Sequence, residues 1–315
     1  MLQHRAEFDA TVTFRDGGRL RAQGFRLDVP HAEVTEAEIG ALFVATCRLR
    51  LVDRVEVSAV RIFGDPEVAS PQPAPTKFVE LSHVLRDGMT TYPGLPAPEI
   101  SEHLSRAASR ERYAAGTEFT IGRISMVSNT GTYLDSPFHR YADGADLAGL
   151  PLEKLADLPA VVVRTAGSGV RAVDTGALES LTVAGRAVLL HTGGDRQWGS
   201  PGYAVDAPYL TEAGANWLVE HGAALVGIDA VNIDDISPDS GGRRPAHSIL
   251  LAAGVPIVEH LTGLENLPPT GFRFTATPPR IAAFGTFPVR AYASVPAIEP
   301  RGHLRSGGWL PTTSG

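Results

Sequence analysis

Residues 211–229 read TEAGANWLVEHGAALVGID, and this stretch sets the fold class. Thr211 is a helix N-cap residue, because its hydroxyl accepts a hydrogen bond from an otherwise orphaned amide of the first turn. Ala213 and Trp217, four residues apart, share a helix face. Gly222 ends the helix, since it adopts the left-handed conformation without a Cβ penalty. The run Ala224 to Asp229 follows at once, apolar and nearly unbroken, as a strand covered on both faces reads. A capped helix leading directly into a buried strand is the unit from which α/β folds are built.

Outward from this stretch the pattern holds. Ala160 to Val163 and Ala187 to His191 are further buried-strand runs on one side, and Val255 to Val258 is another on the other. Residues 78–300 are therefore expected to form an α/β domain around a largely buried sheet, with no internal repeat. The segment GDPEVASPQPAPTK, residues 64–77, carries Pro66, Pro71, Pro73 and Pro75 and reads as a stiff linker. Ahead of it, Phe8 to Phe14 and Leu20 to Val29 flank the turn residues Asp16-Gly17-Gly18 as a hairpin. Thr35 and Glu38 have capping-box spacing, Ile39, Leu42, Phe43 and Cys47 recur at helical intervals, and Arg54 to Phe63 reads as a returning strand. Residues 1–63 are thus expected as a separate small α+β (ββαβ) domain. Beyond Pro300 periodicity stops, and residues 301–315 are expected as a flexible tail.

Composition bounds the function. With 315 residues, 43% apolar and 20% charged, the chain is globular and long enough for a main domain and an accessory one. Its formal charge of −7 is spread along the sequence, so there is no basic footprint for a phosphate backbone and no nucleic-acid partner is expected. Cys47 is the single cysteine, which excludes an internal disulfide and a thiolate-rich zinc site. Met1 to Ala10 holds His4, Arg5, Glu7 and Asp9 without an apolar core, and no stretch reaches the ~18 apolar residues of a membrane span. A cytoplasmic protein without membrane association is the expectation.

The densest run of polar, chemistry-bearing residues is Ser128-Asn129-Thr130-Gly131-Thr132-Tyr133-Leu134-Asp135-Ser136-Pro137-Phe138-His139. In extended chain, Tyr133 and Asp135 project to one side, Gly131 permits a tight backbone, and Pro137 holds Ser136 extended. Tyr92, in Thr91-Tyr92-Pro93-Gly94, reads either as a core aromatic or as a pocket wall. Asp229 and Asp234 read as loop-structuring carboxylates. His247 lies close to Arg243 and Arg244, which also permits a solvated basic loop. Glu259 ends an apolar run, where a carboxylate is costly unless paired.

The motif N-T-G-T-Y-L-D-S-P-F-H resembles H-x-G-T-H-x-D-x-P-x-H, the signature of the cyclase family that includes bacterial kynurenine formamidase and isatin hydrolase. Further ordered resemblances are ELSHVLRDGMTTYPG, LLHTGGD, GIDAVNIDD, HSILLAAGVPIVEHL and GTFPVRAYA, together spanning roughly residues 78 to 297. The resemblance implies a kynurenine-formamidase-like (swivelling β/β/α) main domain, a small-molecule substrate, and a homodimer or homotetramer. It implies His139 as the acid/base, and His247 and Glu259, twelve residues apart, as partners that complete the site.

Two motif histidines are replaced, by Asn129 and Tyr133. A neutral amide oxygen and a phenol of pKa ~10 are poor zinc ligands beside two imidazoles. The expected cofactor is therefore none, or one weakly bound divalent ion, zinc or manganese, on Asp135, His247 and Glu259. The expected catalytic set is His139, Asp135, Tyr133 and Glu259, with Tyr92 and Asn129 binding substrate. In this reading His139 relays a proton, Glu259 or Asp135 orients water, and Tyr133 donates to the developing oxyanion. The activity so implied is hydrolysis of an amide, lactam or ester bond in a small aromatic or cyclic substrate. Two alternatives stand beside it: a metal-independent polyketide-type cyclase using the same acid/base set, and an inactive scaffold that binds a partner through residues 1–63.

Overall fold

The structure, a computed structural model, describes residues 4–64 and 76–296. Most of the expected proline-rich linker and all of the tail at 301–315 lie outside the described residues. The chain divides into two compact units, Met1–Ala74 and Pro75–Gly315.

In the first unit, β1 (His4–Phe14), β2 (Arg19–Val29), α1 (Glu36–Thr46) and β3 (Val52–Gly64) form an antiparallel sheet in the order β2-β1-β3 with one helix. Thr35 and Glu38 close a capping box at the start of α1. Alternate residues of β1, namely Ala6, Phe8, Ala10 and Val12, are buried with Ile39 and Phe43 of α1, as period-two and helical spacing require. Phe43 packs edge-on against Phe8 and Phe25 at centroid distances of 5.7 and 4.8 Å. Cys47 departs from the expected helical stripe. The helix ends at Thr46, so Cys47 is its exposed C-cap.

The second unit opens with β4 (Thr76–Glu80), β5 (Glu99–Leu104), α2 (Arg106–Arg112), β6 (Ile121–Ser125) and β7 (Tyr133–Asp135). It continues through β8 (Leu158–Arg164), β9 (Ala172–Val173), β10 (Ala187–His191), β11 (Tyr209–Leu210) and α3 (Glu212–Glu220). It closes with β12 (Leu225–Ile228), α4 (Pro245–Ala252), β13 (Ile257–Glu259), β14 (Thr270–Thr275), β15 (Thr286–Pro288) and β16 (Tyr292–Pro296). Nine of these strands make one sheet in the order β15-β7-β13-β12-β10-β8-β14-β16-β4. The four central strands β13, β12, β10 and β8 are parallel, and antiparallel strands extend both sides. This is the α/β architecture the strand and helix signals predict.

The central strands β8, β10, β12 and β13 are buried on both faces. Along β8, Ala160 and Val162 enter one apolar layer while Val161 and Val163 enter the other. Leu134, Val258 and Phe272 belong to the first layer, and Ile257 joins the second with Ala215 and Leu218 of α3 and Leu250 and Leu251 of α4. Thr211 caps α3 by accepting from the Gly214 amide at 3.0 Å. The buried face of α3 is Gly214, Ala215 and Leu218, with Ala213 exposed and Trp217 half-buried. Ala213 and Trp217 share a face, but it lies beside the buried stripe. No helix among the described residues is long and apolar enough to cross a membrane.

Candidate active site

Strand pairing assembles the site. β7 lies between β13 and β15, and its register sets Tyr133 opposite Glu259 and Asp135 opposite both Ile257 and Thr286. Directly opposed residues share a sheet face. Tyr133, Asp135, Glu259 and Thr286 therefore point one way, while Leu134 and Val258 point into the core on the other. Gly131 permits the approach to β7. Its φ is +68°, and a Cβ there would stand 2.3 Å from Leu85 Cδ2.

His139 follows β7 in a single helical turn begun by Pro137, with Ser136 extended before it. Its Nδ1 is 2.7 Å from Thr286 Oγ1, and Thr286 also donates to Asp135 Oδ1. A hydroxyl has one proton, and an ionised carboxylate only accepts. Thr286 must then accept from His139 Nδ1–H, which leaves His139 Nε2 with a free lone pair. The side chain of His139 is 34% exposed while that of Asp135 is fully buried, so the imidazole is the part of this chain open to the pocket.

His247 arrives from the helical layer on α4. It is buried, not part of a solvated basic loop. Asp234 holds it in place, accepting from the Ala246 amide at 2.6 Å and from His247 Nδ1 at 2.6 Å. His247 Nε2 then faces Asp135 Oδ2 at 3.7 Å and Glu259 Oε1 at 3.6 Å. Burial opposes charge on this ring, but Asp135, Asp234 and Glu259 outweigh it and raise His247 to about 10. Burial likewise works to raise Asp135, yet His247, His139 and Thr286 hold it below the usual carboxylate range.

Glu259 accepts from the Ile233 amide at 2.6 Å and from the Tyr133 hydroxyl at 2.6 Å. Burial, partly offset by His247, pushes Glu259 up to about 7. Burial also drives the Tyr133 hydroxyl well above its ordinary value, with Glu259 and Asp135 adding to the shift. His260 completes the network, with Nε2 3.3 Å from Tyr133 Oη and Nδ1 2.8 Å from Tyr203 Oη. Burial lowers His260 to about 3, so it is neutral and passes one hydrogen bond along.

A cavity of about 800 Å³ is lined by Tyr92, Asn129, Tyr133, His139, His247 and Glu259, among others. Tyr92 is half-buried against Tyr203 and Val231 and also lines the cavity. Asp229 accepts from the Thr192 and Gly193 amides as a loop-structuring carboxylate does. Asp234 is more than that, because it orients His247. Thr286 and His260 escape sequence reasoning. Thr286 has no signal apart from strand register, whereas a histidine directly after Glu259 at the end of a buried apolar run is a legible flag at His260.

The residues fit one metal ion and not two. Asp135, His139 and His247 offer ligand atoms that all lie within 4.8 Å of one another, and Asp135 Oδ2 is buried with no hydrogen-bond partner. Glu259, expected as the third ligand, is outside this cluster with its oxygens engaged by Ile233 and Tyr133. A second ion would need Tyr133 as phenolate, which its burial and its bond to Glu259 oppose, and Asn129 in place of an imidazole.

Together the mixed α/β sheet and the buried His/Asp/Glu cluster define an α/β protein with a candidate hydrolytic site. Residues 79–235 match the Cyclase family, described as "Putative cyclase". A kynurenine formamidase of Geobacillus thermodenitrificans (strain NG80-2) is 30% identical over 217 residues, covering 68% of this chain and 95% of that protein. The chain belongs to this cyclase family, among its kynurenine-formamidase-like members. An isatin hydrolase bound to the product analogue thioisatinate superposes with a TM-score of 0.59 at 21% identity, covering 70% of this chain and 93% of that one. A potential metal-dependent hydrolase with cyclase activity gives 0.56 at 22%, covering 72% and 100%. At these identities the two structures speak for the fold.

Proposed function

We propose that this enzyme hydrolyses an amide, lactam or ester bond of a small aromatic or cyclic molecule, with His139 as the general base and then the general acid. The observation that carries this reading is the Asp135–Thr286–His139 hydrogen-bond chain, which frees His139 Nε2 toward the cavity. Nε2 takes a proton from water, and the hydroxide adds to the substrate carbonyl. The resulting imidazolium is stabilised through Thr286 by buried Asp135. As the C–N or C–O bond breaks, His139 returns the proton to the leaving atom.

The oxyanion needs donors on the Asn129–Tyr133 wall. Tyr133 has one proton, and Glu259 holds it in the resting geometry. Asn129 is then the standing donor, and Tyr133 joins when Glu259 is protonated, which its value of about 7 brings within neutral pH. A single divalent ion, zinc or manganese, held weakly by Asp135 and His247 would polarise the carbonyl and leave His139 Nε2 free as the base. Cytoplasmic residence and a homodimeric or homotetrameric state belong to the same proposal.

The test is turnover of N-formyl arylamines, isatin-type lactams and aryl esters by the purified protein. We expect hydrolysis of at least one class and a loss of ~10²-fold or more in kcat for His139→Ala with an unchanged thermal midpoint. Failure of every class, or full activity in His139→Ala, overturns the reading.

A further inference from the structure

The charges around the cavity are sorted by depth. At the floor, His247 and Glu259 line the cavity, and the buried carboxylates Asp135 and Asp234 stand behind them on the His247 ring. The same cavity is also lined by Arg140, Arg243 and Arg244, of which Arg140 and Arg243 are exposed and Arg244 is half-buried. Their hydrogen bonds go to neutral groups. Arg140 Nε reaches Ser248 Oγ at 3.4 Å, Arg243 Nε the Ser240 carbonyl at 3.2 Å, and Arg244 Nη1 the Asp235 and Arg243 carbonyls at 3.3 and 2.9 Å. Among the described residues none of the three forms an ion pair with a carboxylate. The carboxylate of Asp235 is taken by Arg171 at 3.2 Å, and Glu212, which also lines the cavity, pairs with none of them.

Three guanidinium groups with spare donors beside one cavity are matched by a planar anion, since the guanidinium fork meets a carboxylate through two parallel hydrogen bonds. The floor imposes the orientation. His247, the one cationic group there, is already matched by Asp234 at 2.6 Å and faced by Asp135 and Glu259. The floor thus has no spare donor for a further anion, and an anionic substrate binds with its reacting carbonyl inward and its carboxylate on the arginine rim. We propose that this rim is a carboxylate subsite, and that the substrates are carboxylate-bearing amides or lactams. The second half of this statement rests on the hydrolase reading above; the first half does not.

The test separates the two. Isothermal titration compares benzoate with benzamide, which has the same ring and no charge. Benzoate is expected to bind at least about tenfold more tightly and to weaken in high salt. Each exposed guanidinium–carboxylate contact is worth up to about fivefold, so Arg243→Gln with Arg244→Gln should weaken benzoate about tenfold and leave benzamide unchanged. Arg290→Gln, a surface arginine paired with Glu80 at 2.8 Å, should change neither. In turnover, N-formylanthranilate should show a lower KM than formanilide, and the double variant should erase the difference. Arginine-dependent benzoate binding without turnover of any amide, lactam or ester leaves the subsite standing and removes the hydrolase reading. Equal binding of benzoate and benzamide, or benzoate binding untouched by the double variant, overturns the subsite whatever the turnover.

Discussion

The single proton of Thr286 sets the tautomer of His139, so under the proposed mechanism a threonine that touches no reacting atom governs the base. Thr286→Val keeps the shape and removes the hydroxyl. It is expected to lower kcat about 10- to 100-fold, less than removal of the base itself, with KM little changed and Thr286→Ser restoring most of the loss. A valine variant with wild-type kcat would mean that His139 is oriented by something else. His260 gives a pH prediction. Its folded value of about 3 lies below the ordinary 6.5 because burial disfavours the charged ring. Between those values the unfolded chain binds one proton more than the folded chain, so stability falls as pH drops from about 6.5 toward 3. One proton corresponds to a slope of about 1.4 kcal/mol per pH unit. The backbone at His260 has φ of 57°, which asparagine tolerates. His260→Asn should therefore reduce the slope of unfolding free energy at pH 5 by about one proton. An unchanged slope in denaturant titrations would show that His260 is protonated in the folded state.

At the scale of elements, the site is a property of three short strands and one capped helix. β7, β13 and β15 are each three residues long, and a slip of one residue between any two would turn every site side chain to the opposite face. Gly285 keeps β15 close. A Cβ at this position would stand 2.6 Å from both the backbone nitrogen and the Cα of His139, and backbone cannot step aside cheaply. Gly285→Ala should thus push β15 from the His139 turn, costing about 1–3 kcal/mol and lowering kcat through loss of the Thr286 bridge. Thermal denaturation and steady-state kinetics on the same preparation check this, and wild-type values in both would show that the strand has room to shift. On α4, Asp234 accepts from the Ala246 and His247 amides and from the His247 ring. One carboxylate thereby fixes both the start of the helix and the direction of its histidine.

For the whole molecule, the decisive measurement is metal content. Asp135 and His247, with His139 beside them, have the spacing for one ion, and because Tyr133 is bonded to Glu259 we expect no second. Elemental analysis of purified protein should find at most one zinc or manganese per chain, lost on dialysis against chelator. Asn129→His combined with Tyr133→His should raise bound zinc toward two. Two tightly held zinc ions in the unaltered protein would restore an ordinary binuclear centre and remove the role given to Tyr133. The sequence by itself determined the elements, because capping residues, glycine stops and hydrophobic period are local facts. It pointed to the polar run ending at His139 for the same reason, and the family motif carried His247 and Glu259 along with it. Tertiary structure alone decided that Tyr133 faces Glu259 and Asp135 faces Thr286, that Asp234 holds His247, and that His260 bridges two tyrosines. Those pairings join residues 13 to 151 positions apart, and they depend on strand register and burial, which no local pattern encodes.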